Sequence, residues 1–139
     1  MRSAQSHALM PMMQFSVAPW RVLDTVHLNA VKTAVKTREK FVPLIMQLAT
    51  TAATAGEPIV RKMEFEFPNQ GFAAVNDQFM LGDSILVAPM NQPGNARKVM
   101  LPKGNWTADD GKKYKGPIQI DIAVPLERLP WFRLTRRAK

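Results

Sequence analysis

A chain of 139 residues, 46% hydrophobic, with no cysteine and a formal charge of +8, can bury one ordinary core or a small domain with a helical appendage. It falls short of the roughly 200 to 250 residues that a closed eight-stranded α/β barrel needs. The missing cysteines exclude disulfides, thiol nucleophiles and thiolate metal sites, and no apolar run approaches the roughly 18 to 20 residues of a membrane-spanning helix.

The basic residues fall into small groups: Lys36, Arg38 and Lys40; Lys112, Lys113 and Lys115; Arg133, Arg136, Arg137 and Lys139. No nucleic-acid motif surrounds them, so they predict a solvated surface, and neither nucleic acid nor membrane is an expected partner. Met1–Met13 has no basic flank followed by a smooth apolar run, so a signal peptide is not expected. The compartment is left open.

In chain order, the first segment, Met1–Trp20, is rich in Met, Pro and aromatics without a clean period. Such a stretch packs against something. If that partner lies elsewhere, its apolar residues are exposed and a homo-oligomer through this segment is expected. From Asn29 to Gly56, Val31, Val35, Phe41, Val42, Leu44, Ile45, Leu48, Ala49 and Ala52 recur at helical spacing. Asn29 suits the N-cap and Gly56 the C′ position, while Glu57-Pro58 blocks continuation. Pro43 removes one backbone hydrogen bond, which predicts a kink or two helices meeting there.

After Pro58 the period becomes two. Ile59–Phe67 predicts a half-buried strand, with Ile59, Arg61, Met63, Phe65 and Phe67 on one face. Gln78–Leu81, the doubly buried run Ile85–Ala88, Arg97–Leu101, a stretch around Trp106 and Ile118–Ile122 predict further strands. Turn residues separate them at Pro68–Gly71, Gly82-Asp83, Pro93-Gly94, Pro102–Gly104, Asp109–Gly111 and Gly116-Pro117. The fold class is therefore α+β, a helical segment over residues 1–57 followed by an antiparallel β-sandwich over residues 58–139.

Chemistry is sparse. A serine triad needs a relay histidine, and neither His7 nor His27 lies near a Gly-x-Ser-x-Gly turn. The two histidines have no acidic partner at ligand spacing, so no metal or cofactor site is expected. Glycoside cleavage needs two facing carboxyl groups. Glu64 and Glu66 share the polar face of the Ile59–Phe67 strand and read as solvated, while Asp109-Asp110 before Gly111 reads as a turn. Trp20, Trp106 and Trp131 offer aromatic faces, although scattered tryptophans more often sit in a core.

The order of motifs is informative. Arg2-x-x-Gln5, Pro11-Met12-Met13-Gln14-Phe15-Ser16, Ala55-Gly56-Glu57-Pro58-Ile59-Val60-Arg61 and the run Asp77 to Pro89 (DQFMLGDSILVAP) come first. Leu101-Pro102-Lys103-Gly104-Asn105-Trp106 and Leu126–Phe132 follow. Together they resemble the C-terminal part of glycoside hydrolase family 31, across essentially the whole chain. The resemblance implies α-glucosidases, α-xylosidases and relatives, retaining enzymes that act through two aspartates on a (β/α)8 barrel followed by β-sandwich domains. It makes Met1 to about Gly56 the last strand and helix of the barrel and about Glu57 to Leu134 the following sandwich. Both family aspartates would lie before the equivalent of Arg2, so no catalytic residue is expected here.

Family members commonly carry an Arg and, two residues later, a sugar-binding His after the proline matching Pro11. Gln14 and Ser16 stand at those places and are the candidate substrate-binding residues, which opens the substrate to a galactoside or another α-glycoside. The expected partner is an α-glycoside or oligosaccharide bound by the larger enzyme, with this truncated portion inactive alone. The alternative is an autonomous carbohydrate-binding or structural sandwich using Trp106 or Trp131.

Overall fold

The computed structural model describes residues 2–137, with side chains as far as Arg136; Met1, Ala138 and Lys139 lie outside the described residues. Three helices come first: α1 (Arg2–Ala8), α2 (Pro19–Val22) and α3 (Thr25–Ala55). Strand β1 (Val60–Lys62) leads into a helical turn, α4 (Met63–Glu66). Then come β2 (Phe79–Leu81), β3 (Ile85–Val87), β4 (Ala96–Ala108), β5 (Lys113–Ala123) and β6 (Trp131–Arg137). All pairings are antiparallel in one six-stranded sheet of order β1-β2-β3-β6-β4-β5. The fold is α+β, a long helix followed by an antiparallel sheet.

Helix α3 starts one turn earlier than expected, because Asp24 and not Asn29 supplies the cap, accepting from the His27 backbone N–H at 2.9 Å. It ends at Gly56, whose φ of 72° is the left-handed geometry that favours glycine and whose N–H reaches the Ala52 carbonyl at 3.0 Å. Pro43 does not divide it: the 31 residues form one helix. Phe41 and Ile45, buried on either side of the proline, hold both halves against the same sheet.

The sheet has two apolar faces. Leu81, Ile85 and Val87 pack with Ala8, Leu9, Ala34, Phe41 and Ile45 beneath the helices. Met80, Leu86 and Phe132 point the other way and share a second core with Val99, Leu101, Trp106 and Ile122. That second core closes because β4 is long and irregular, with its register to β5 shifting between Leu101 and Gly104. Its first half comes over the face of β2, where Gln78 Nε2 donates to the Met100 carbonyl at 2.7 Å and the Met100 N–H donates to Gln78 Oε1 at 3.0 Å. Ile85–Ala88 is buried on both sides, as its unbroken apolar run predicts.

Two elements differ from expectation. The Ile59–Phe67 strand is extended only over β1 and then coils into α4. Met63 and Phe67, four apart, both enter the second core, whereas Phe65 between them is 57% exposed. Glu64 holds the turn by accepting from the backbone N–H groups of Asn69 (2.9 Å) and Phe72 (3.2 Å). The other difference is β6, which is not among the expected strands: its Arg133 and Arg136 are exposed, as a solvated surface predicts, yet it is a central strand, paired to β3 on one side and β4 on the other.

Candidate functional site

The residues singled out by sequence sit on the segment between α1 and α2. Its entry is fixed by α1, where buried Gln5 donates through Nε2 to the carbonyls of Leu126 (2.7 Å) and Arg128 (3.3 Å). Arg2 donates to Gln5 Oε1 and to the Val124 carbonyl, both at 3.0 Å. These contacts fasten the first helix to the β5–β6 connection, about 120 residues later in the chain.

From below, Arg38 of α3 donates to the carbonyls of Ala8 at 3.0 Å and Pro11 at 2.8 Å, and also to that of Met10. One guanidinium thus satisfies the end of α1 and the start of the extended run after it, as its planar fork of donors allows. Residues 12–15 form no strand in the described chain. Replacing Arg38 with alanine strands those carbonyls. A stability loss of about 2 kcal/mol in urea denaturation is expected, with faster amide exchange over residues 9–17. Unchanged exchange there would contradict this role.

Gln14 and Ser16 are both exposed. Gln14 lines a shallow cavity of about 210 Å³ with His7, Met13, Phe15, Leu23 and Val31. Ser16 lies on the same segment but is not part of that lining. A neighbouring groove of about 360 Å³, between α2 and α3, is walled by Phe15, Trp20, Leu28, Val31 and Val35. Met12, Val17, Trp20, Val22 and Val26 stand exposed around it, Trp20 at 72%.

Several carboxylates elsewhere have structural partners. Glu66 meets Arg61 at 2.8 Å and Asp77 meets Arg97 at 2.7 Å. Arg128 reaches Asp109 at 2.8 Å and Asp110 at 3.4 Å. The hydrogen bond with Asp109 raises the Arg128 pKa, against the lowering effect of burial. Burial lowers that of Arg97, with the Asp77 charge opposing. Asp110 is shifted down: partial burial acts upward, but hydrogen bonds from Lys112 and the charges of Lys112 and Arg128 outweigh it. Asp24 is also shifted down, by the hydrogen bonds it accepts from the His27 backbone and ring. A glycosidase acid needs the opposite shift. Among the described residues no group of His, Asp and Glu is arranged to hold a metal ion, and no helix is long and apolar enough to cross a membrane.

Two of the three tryptophans are spent on the core. Trp106 is 1% exposed and its ring N–H donates to the Pro102 carbonyl at 2.8 Å. Trp131 is half-buried, edge-on to Phe41 with centroids 5.2 Å apart. Trp106 offers no free face to a sugar.

The family model described as the glycosyl hydrolase family 31 C-terminal domain matches residues 56–134, from the glycine that caps α3 through β1–β5 and into β6. The chain belongs to glycoside hydrolase family 31. It is similar to the myogenesis-regulating glycosidase of Mus musculus, 36% identical over 129 residues that cover 90% of this chain and 18% of that protein. Among solved structures it resembles the family 31 α-xylosidase of Xanthomonas citri, with 30% identity, a TM-score of 0.86, and coverage of 96% of this chain and 16% of that one. It also resembles the family 31 dextranase of Flavobacterium johnsoniae, solved with isomaltotriose, with 29% identity, a TM-score of 0.86, and coverage of 96% and 18%. The chain thus spans less than a fifth of each of these proteins.

Sequence reasoning noted Arg2 and Gln5 through the resemblance but took Arg38 for part of a solvated group. A signal was available: Val31, Ala34, Arg38, Phe41 and Ile45 fall at alternating spacings of three and four, and the other four are buried. A lone arginine on an apolar stripe has something to hold.

Proposed function

We propose that this chain is the closing portion of a retaining α-glycoside hydrolase, contributing one wall of the substrate pocket and the support behind it, and that it hydrolyses nothing alone. In this reading residues 1–57 are the barrel's last strand and helix, and residues 58–139 are a supporting sandwich. Gln14 faces the sugar, with Ser16 beside it. The observation that supports the reading is the fastening at the entry to the α1–α2 segment, where Arg2 and Gln5 tie α1 to the β5–β6 connection and Arg38 ties residues 8–11 to α3. No two carboxyl groups face each other across a cavity around that segment.

Cleavage with retention requires an acid and a nucleophile about 5 Å apart, and both would come from the rest of the enzyme. Assayed on aryl α-glucosides and α-galactosides, the chain should release no phenol above buffer. Turnover that one Asp or Glu substitution abolishes would refute the reading. The binding-module alternative loses its two named stacking residues, since Trp106 and Trp131 are packed. In a Trp20→Phe variant, maltooligosaccharides should therefore leave the remaining tryptophan fluorescence unchanged.

The apolar surface around Trp20 belongs, on this reading, against the rest of the barrel. Without it a second copy is the nearest apolar partner. Sedimentation should show the mean mass rising with concentration, and Trp20→Ser should lower it. A monomer at every concentration would contradict the assignment.

A further inference from the structure

The sequence keeps the Lys112–Lys115 group and the group beginning at Arg133 well apart, but the sheet brings them together. Strands β5, β4 and β6 lie side by side, with Lys113 opposite Thr107 and Thr107 opposite Arg133. In the next row of the same face Lys115 is opposite Asn105, and Thr135 reaches the Asn105 carbonyl at 3.0 Å. The alternating residues Trp106, Tyr114 and Leu134 point inward to the second core, so these six point outward. Five of the six, all but Arg133, line a depression of about 430 Å³.

All of them except half-buried Thr107 are exposed. Lys113, Lys115 and Arg133 make no ion pair among the described residues, whereas Lys112, Arg128 and Arg97 all do. Three cations are held on a rigid surface with hydroxyl and amide groups between them. Two strand spacings, about 10 Å, separate Lys113 from Arg133, close to the length of a disaccharide.

We propose that this outer face of β5-β4-β6 binds an anionic polysaccharide, its carboxylate or sulfate groups taken by Lys113, Lys115 and Arg133 and its hydroxyls by Asn105, Thr107 and Thr135. This holds whether or not the catalytic reading above does. The chemistry of the face selects this partner. Single-stranded nucleic acid is gripped by exposed aromatic rings between the cations; the two rings that line this depression, buried Trp106 and half-buried Tyr114, are packed into the second core. A lipid surface is entered by apolar side chains beside basic ones, and the six outward residues include none of these. Sugars need cations interleaved with hydrogen-bonding groups.

The test compares two variants of equal charge: Lys113→Gln/Lys115→Gln/Arg133→Gln on the face, and Lys32→Gln/Lys36→Gln/Lys40→Gln on α3, where all three lysines are also exposed. Heparin and polygalacturonate are the polysaccharide probes, with single-stranded DNA and phosphatidylserine vesicles as competitors. Expected is binding to at least one polysaccharide that the face variant weakens roughly tenfold or more while the helix variant changes it less than about twofold. Equal losses in both variants would overturn the proposal, as would absence of binding to either polysaccharide. Tighter binding to DNA or vesicles that depends on the face would also overturn it. If the triple face variant fails to fold, Lys113→Gln and Arg133→Gln singly, against Lys36→Gln, give the same comparison.

Discussion

Gly116→Ala is expected to destabilise the chain by about 3 to 5 kcal/mol, the range where a single substitution threatens the fold itself. A methyl group at Gly116 would lie 1.9 Å from the Pro102 carbonyl oxygen and 2.9 Å from that of Leu101. Both are backbone atoms, so no side-chain rotation relieves the clash, and β4 and β5 must separate. The separation falls where the register already shifts and where Gly104 stands opposite Gly116. It would open the corner that turns β4 over the second core. Gly111→Ala is the control: its φ of 83° strains any other residue, but nothing lies within 4 Å of the added carbon. It should cost only about 1 kcal/mol. Urea denaturation of both variants checks the pair, and equal midpoints would show that the close approach of the strands is not what the fold depends on.

Phe132→Ala should cost about 3 to 5 kcal/mol as well, by a different route. Phe132 is fully buried and sits in register between Leu86 of β3 and Ala108 of β4. Its ring meets Tyr114 of β5 edge-on at 6.1 Å. Removing it leaves a void at the strand that joins the two halves of the sheet. Phe65→Ala makes the contrast, since that ring is 57% exposed and its partner is the Arg61 guanidinium 5.7 Å from its centroid. A loss of about 1 kcal/mol or less is expected there. A Phe132 variant as stable as the Phe65 variant would mean that β6 is not the central seam.

What could be read from the sequence was local. The end of α3 was legible because Gly56 and Glu57-Pro58 carry their own stop signal, and Ile85–Ala88 because four successive apolar residues need burial on both sides. What depends on partners distant in sequence was not legible. Met63, Phe65 and Phe67 fit an alternating strand and a helical turn equally well; Glu64, by taking the N–H groups of Asn69 and Phe72, decides for the turn. The charges in β6 hid a central strand whose apolar members, Phe132 and Leu134, alternate with them. Gln14 and Ser16 were located through resemblance alone, and Gln14 lines a cavity whose lining does not include Ser16. The periodicity of α3 places Arg38 on the buried stripe, but the carbonyls it holds lie about 30 residues away and are not named by that spacing.

On the proposed function, these residues supply a wall of the pocket and its support without a nucleophile. Epoxide analogues of α-glucose and α-galactose, which esterify the carboxylate nucleophile of retaining glycosidases, test it directly when the intact mass of the treated chain is measured. The predicted result is an unchanged mass with both reagents. A single adduct, mapped to one Asp or Glu and blocked by a competing sugar, would contradict it.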